Sequence, residues 1–138
     1  MLKGNSPLFS PELLATLYSM GHGDEIVLAD AHFTGHSVNK SIIRADGLKI
    51  AGAMMPLFVL DQYVDDPVVM MACVPGDEPD PAVEADYLAA MAKHISTVPN
   101  ITFIERFAFY ERANKAFALV LSGETRKYGN IILKKGVW

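Results

Sequence analysis

The sequence predicts a single α/β domain in three layers, with a largely parallel or mixed central sheet flanked by helices. Three observations carry this reading. Short β-rich runs recur that are apolar at successive positions rather than alternate ones, as in strands covered on both faces. Stretches of helical periodicity lie between them, so strands and helices alternate along the chain. The length, 138 residues, is that of one ordinary domain, so residues 1–138 are read as one unit without repeats or linkers.

The elements follow in order. Ser10 is a plausible N-cap and Pro11 suits the first helical position, where no intrahelical N–H partner is needed. Leu13, Leu14, Leu17 and Met20 then share one side of a helix, and Gly21 is expected to end it in the left-handed conformation. EIVLAD is a buried strand ending at Asp30, ADAHFTGHSVNK a loop, and SIIRAD a second strand closed by a turn at Asp46–Gly47. LKIAGAMMPLFVLDQY reads as a helix or two helical pieces, because Pro56 would kink it. PVVMMACV is a buried strand, with Cys73 read as a core residue. Asp80 and Pro81 repeat the cap-plus-proline start, for a helix running to about His94 with Val83, Tyr87, Leu88 and Met91 on its apolar side. ITFI is a strand, FAFYERANKA a helix, FALVLSG a strand, ETRKYG a tight polar connection and NIILKK a last strand within hydrogen-bonding reach of the one before.

Composition narrows the function. The formal charge is −4, from 16 acidic and 12 basic residues, and no basic stripe concentrates the positive charge, which argues against nucleic acid. No apolar run approaches the length of a membrane span, and MLKGNSPLFS lacks the apolar stretch of a signal peptide. A single cysteine permits no intrachain disulfide. These features fit a cytoplasmic protein. The hydrophobic fraction, 51%, is high for a short chain and implies a second apolar surface, either an oligomer interface or a ligand pocket.

Four clusters can carry chemistry. In GHGDE, His22 sits between glycines in a turn, where an imidazole can give and take a proton near neutrality; a turn histidine without a task is the plainer alternative. Asp30 ends a buried strand, where ligands of α/β sheets gather, and can accept hydrogen bonds from the hydroxyls of a ligand or simply cap the next loop. In RFAFYER, Arg106 and Tyr110 share a helical face at i,i+4, forming a platform for a hydroxyl-rich ligand or a solvated arginine beside a half-buried ring. In KYGN, Tyr128 and Asn130 can donate and accept while Gly129 lets backbone approach closely; a hairpin turn is the alternative. His32 and His36 lie four apart, but TGH between them opposes the helix that would align them as metal ligands. No dinucleotide fingerprint, P-loop, nucleophile elbow or CxxC pair occurs. No cofactor and no metal are therefore expected.

The stretches SPELLATLYSMGHGDEIVLADAHF, IIRADG, RFAFYERANKAFALVLSGE and KYGNIILKKGV resemble, in order and separation, the ribose pyranase and fucose mutarotase family. RFAFYER and YGN favour the fucose branch; the ribose branch typically has histidine in place of Arg106, and YAN. The 75–99 stretch and residues 49–55 match less well. The resemblance implies an isomerase that interconverts the anomers of free L-fucose by acid–base ring opening and closure. It implies His22 as catalytic proton donor, and Asp30, Arg106, Tyr128, Gly129 and Asn130 as substrate-binding residues, with Tyr110 an additional candidate. It also implies a homo-oligomer, commonly a decamer, with sugar sites near subunit boundaries. D-ribose or another aldose as substrate, and sugar binding without catalysis, remain alternatives.

Overall fold

Ser10 opens the first helix as its sequence suggests: its Oγ accepts a hydrogen bond from Leu13 N at 3.1 Å, and Pro11 occupies the first turn. In the computed structural model, which describes residues 2–138, helices α1 (Pro11–Ser19), α2 (Gly35–Val38), α3 (Ala51–Met54), α4 (Pro81–Ala92) and α5 (Arg106–Lys115) alternate with strands β1 (Glu25–Ala29), β2 (Ile42–Arg44), β3 (Val68–Met71), β4 (Thr102–Ile104), β5 (Ala118–Leu121) and β6 (Ile131–Lys134). Asp80 caps α4 by accepting from Ala82 N at 2.9 Å. Glu105 caps α5, its Oε2 accepting from Phe107 N and Ala108 N.

The strands form one sheet in the order β2-β5-β1-β6-β3-β4. β1, β2 and β5 run parallel, β3 and β4 run parallel, and β6 is antiparallel to both β1 and β3. Five strands therefore point one way, and β6 alone points the other. Both faces are covered. Ile26, Leu28, Val68, Met70, Ile131 and Leu133 face α1, α3 and α4. Val27, Ala29, Val69, Met71 and Ile132 face the other way, against Phe109 and Ala113 of α5. This explains the unbroken apolar runs: each neighbour along a strand has its own core, and each fully buried large side chain contributes about 1.5–3 kcal/mol.

Four expectations need correction. The last two strands are not neighbours, because β1 lies between β5 and β6; KYGN is thus a crossover segment and not a hairpin turn. Gly21 does not end α1 in the left-handed conformation. Met20 is extended, Gly23 carries the positive φ, and Lys135 Nζ donates to the carbonyls of Leu17 and Met20. A distant cation thus satisfies the carbonyls that a C-terminal glycine motif would have served. The two helical pieces expected around Pro56 are present, though short, as α3 and one 3-10 turn, Met55–Leu57, after which Leu60 bridges to Lys135. The loop after Asp30 contains the extra short helix α2. Cys73 lies just beyond β3 and is only partly buried.

Candidate functional site

The parallel strands give the sheet a carboxyl end, and most of the candidate residues lie there. Asp30 follows β1, Arg106 follows β4, and Tyr128, Gly129 and Asn130 lead into β6, whose reversed direction puts its start at this same end.

Asp30 is buried. Asn130 Oδ1 accepts from Asp30 N at 2.9 Å, and Asp30 Oδ1 accepts from His32 N at 2.9 Å. Loss of water raises the Asp30 carboxyl above its ordinary range, against the His32 and Asn130 hydrogen bonds, and the charge of Glu124 adds to the rise. Gly129 is pressed into the corner so formed. A Cβ on it would lie 2.6 Å from Glu124 Cγ, 3.2 Å from Arg126 O and 3.4 Å from Asp30 Cβ, so the close approach is real and glycine is required for it.

Tyr128 has φ +61°, the left-handed region that a bulky residue adopts at a cost. Its hydroxyl donates to Asp77 Oδ2 at 2.9 Å and accepts from Val74 N at 3.4 Å, with desolvation and the Asp77 carboxylate pushing it up to about 12. The phenol stays neutral at physiological pH and serves as a hydrogen-bonding group. A hollow of about 60 Å³ lies beside it, between Cys73, Pro81, Phe103 and Lys127. A larger cleft of about 300 Å³ opens between α3 and α4, lined by Lys49, Tyr87, Ser122, Glu124 and Arg126. It touches none of the sequence-predicted site residues and lies behind their supporting side chains.

Arg106 stands exposed on the first turn of α5, its guanidinium 4.7 Å from the Phe107 ring centre and 5.8 Å from that of Tyr110. The i,i+4 pairing read from the sequence is therefore formed. The sheet order puts β4 three strands from β1, about 14 Å at ordinary strand spacing. Helix α5 narrows the gap: Tyr110 packs edge-on against Phe33 at 5.5 Å, and Phe33 N donates to Asp30 O at 3.2 Å.

His22 is elsewhere. Its turn is tied to the far end of β6, Gly23 N donating to Lys135 O at 2.8 Å. It therefore sits at the amino ends of the parallel strands, and a strand's length of about 16 Å separates it from Asp30. There it meets a residue that sequence reading did not single out. His22 Nε2 lies 3.2 Å from Asp61 Oδ1, with side-chain exposures of 46% and 3%. Asp61 also accepts from Tyr63 N at 3.0 Å; this bond and the His22 contact hold its carboxyl below the ordinary range against desolvation. In the tautomer whose Nε2–H donates to the carboxylate, Nδ1 is the acceptor of the ring. The Tyr63 ring lies 5.7 Å away and is 77% exposed.

His32 follows Asp30 in its loop, and His36 is on α2, 3.5 Å from Arg44. Among the described residues no three His, Cys, Asp or Glu side chains gather as metal ligands. No helix of the described residues is long and apolar enough to cross a membrane. Besides Asp61, sequence reading missed Glu124, Arg126, Tyr87 and Asp77. SGE and TRK carry no local signal of function, and Tyr87 read only as a core residue of α4.

A mixed α/β sheet with a polar shelf at its carboxyl end and a histidine–aspartate pair at its opposite end has the groups to hold a small polar molecule and to transfer protons. The particular family is shown by comparison: residues 3–138 match the RbsD / FucU transport protein family, and the chain belongs to it. It is 59% identical over 140 residues to an L-fucose mutarotase of Haemophilus influenzae (strain PittGG), covering 99% of this chain and 97% of that one. The fold superposes with TM-score 0.93 on the fucose mutarotase of Streptococcus pneumoniae in complex with L-fucose, at 44% identity and 99% coverage of both chains. FucU from Bifidobacterium longum gives TM-score 0.92 at 40% identity, again with 99% of both chains covered.

Proposed function

We infer that this chain is a sugar mutarotase, an isomerase that interconverts the α and β anomers of L-fucose. The observation that carries the reading is full-length likeness to proteins of that name, joined to a fold shared with one that holds L-fucose. The site chemistry supports it. Ring opening moves one proton onto the ring oxygen as the bond from that oxygen to C1 breaks, and takes one proton from the anomeric hydroxyl, leaving the open-chain aldehyde. Rotation about C1–C2 and the reverse transfers close the ring on the other carbonyl face. Both transfers are general acid–base work near neutral pH. His22, oriented by Asp61, is the proton-transfer group. Asp30, Asn130 and Tyr128 accept and donate to the sugar hydroxyls, Gly129 brings the backbone close, and Arg106 with Tyr110 closes the far side. Holding the ring in register in this way lowers the barrier by orientation.

The separation of His22 from the shelf supports an assembly in which one copy's histidine faces another copy's shelf. Exposed aromatic side chains mark both places: Tyr63 beside His22, and, at the shelf end, Phe107 beside Arg106 and Phe103 at the hollow next to Tyr128. The reading is a homo-oligomer; the decamer as its expected size comes from the family resemblance alone, and the cytoplasm as its place from composition. Magnetisation-exchange NMR at the anomeric protons across free aldoses tests the activity. Exchange on L-fucose well above buffer is expected. Exchange no faster than buffer on every sugar overturns the enzyme reading, and faster exchange on D-ribose than on L-fucose overturns the substrate.

A further inference from the structure

The loop joining β5 to β6 carries a carboxylate that the proton transfers do not use. Glu124 is 5% exposed, and both its oxygens are taken. Oε1 accepts from Arg126 N at 2.9 Å and from Arg126 Nε at 2.8 Å, and Oε2 accepts from Arg126 Nη2 at 2.6 Å. Arg126 turns its remaining nitrogen, Nη1, to Asp86 on α4 at 2.8 Å, and Lys49 Nζ stands 3.6 Å from Oε2. Charge-assisted bonds of this kind fix a side chain in one rotamer. The Arg126 guanidinium holds the Glu124 carboxyl down to about 2.

This pinned side chain lies against the shelf. Its Cγ lies 2.6 Å from where a Cβ on Gly129 would stand. Its backbone oxygen accepts from Ala31 N at 2.7 Å, next to Asp30. From α4, Tyr87 Oη donates to Gly129 O at 2.8 Å. Gly129 is thus gripped between Glu124 and Tyr87 in front of Asp30.

We propose that Glu124 and Tyr87 are positioning residues of the sugar shelf, together fixing the spacing at which Asp30 and Asn130 meet the substrate hydroxyls. This rests on reading the shelf as the sugar-binding half-site. Space-filling alone does not require these groups, since an apolar side chain would occupy the same volume without the bonds. The groups facing Asp30 are His32 and Asn130, which favour its ionised form, and Glu124, which opposes it; Tyr87 faces it from α4 and carries no charge. Removing the Glu124 charge should therefore let Asp30 ionise at lower pH, whereas removing the Tyr87 hydroxyl should not.

The test compares the parent with Glu124→Gln and Tyr87→Phe. It reads KM and kcat for L-fucose exchange, the pH dependence of KM, and amide hydrogen exchange at Gly129 and Asn130 without sugar. Both variants should raise KM by about tenfold while kcat changes by less than about threefold, the pattern of lost binding rather than lost chemistry. Both should speed amide exchange at the two positions by about tenfold or more. Only Glu124→Gln should move the acid limb of KM to lower pH. Unchanged KM and unchanged amide exchange in Tyr87→Phe overturn the proposal, as does a Glu124→Gln protein whose losses only track its thermal midpoint, with the acid limb in place. If Glu124→Gln fails to fold, Tyr87→Phe decides alone. If the parent shows no sugar exchange, the mutarotase reading falls, and the amide-exchange arm still decides whether these residues hold the shelf.

Discussion

Replacing Gly129 by alanine should damage the shelf in a way that can be sized in advance. The new methyl would meet Glu124 Cγ at 2.6 Å and Arg126 O at 3.2 Å, against carbon–carbon contacts of about 3.5–4.0 Å. Something must move by about 1 Å. Glu124 is held by Arg126 at both oxygens. Gly129 is held by Tyr87 through its carbonyl, and the adjoining Asn130 is tied to Asp30 N. Neither side yields freely, so the cost should be that of overpacking a core, about 1–3 kcal/mol. For a chain of this size that lowers the thermal midpoint by about 4–12 °C. The displacement falls on the residues proposed to bind the sugar, and a shift of about 1 Å there can cost on the order of 100-fold in rate. The assay is scanning calorimetry at fixed protein concentration, paired with calorimetric L-fucose affinity and anomer exchange. An alanine variant with parental midpoint and parental affinity would show that the shelf is soft and that glycine is there for another reason.

Other outcomes follow from the same geometry. His22→Ala should lower anomer exchange by about 10²–10⁴-fold with little change in midpoint, because the ring is half exposed; near-parental exchange would move the proton donor elsewhere. Asp30→Asn should weaken sugar affinity about tenfold or more. Burial raises the Asp30 carboxyl in the folded state, so the folded chain holds that proton more tightly than the unfolded chain. The ionised group thus costs stability above its folded pKa, and stability recovers as pH falls through it toward the ordinary value. Asp30→Asn should therefore be no less stable than the parent at pH 7, and urea titration giving a lower midpoint there would refute the account. Sedimentation equilibrium should find an oligomer larger than a dimer; a monomer at micromolar concentration would remove the shared-site reading.

The sequence disclosed what local rules govern. Ser10–Pro11 and Asp80–Pro81 announce helix starts because caps act within four residues. The apolar runs announce covered strands for the same reason. Partnerships across the chain left no such mark. Nothing near NIILKK says that it inserts between β1 and β3. His22 and Asp61 are separated by 39 positions and meet only through the Lys135 edge of β6. The site residues named by resemblance divide between two ends of the sheet, a fact that strand direction decides and composition does not. Glu124 and Tyr87 escaped notice because a supporting side chain needs no special residue type, only the right neighbour.

The placement of β6 also bears on how the protein is made. This strand follows all of its sheet-mates in the chain, yet joins the two groups β2-β5-β1 and β3-β4. A nascent chain that has not yet emerged beyond residue 130 can pair its strands only within those groups, leaving bare inner edges of the sort that recruit other chains. Such long-range closure is slow compared with local pairing. The same strand brings Tyr128–Asn130 in at its start and anchors the His22 turn just past its end. An incompletely translated copy therefore lacks both the segment that packs against Asp30 and the anchor of the His22 turn.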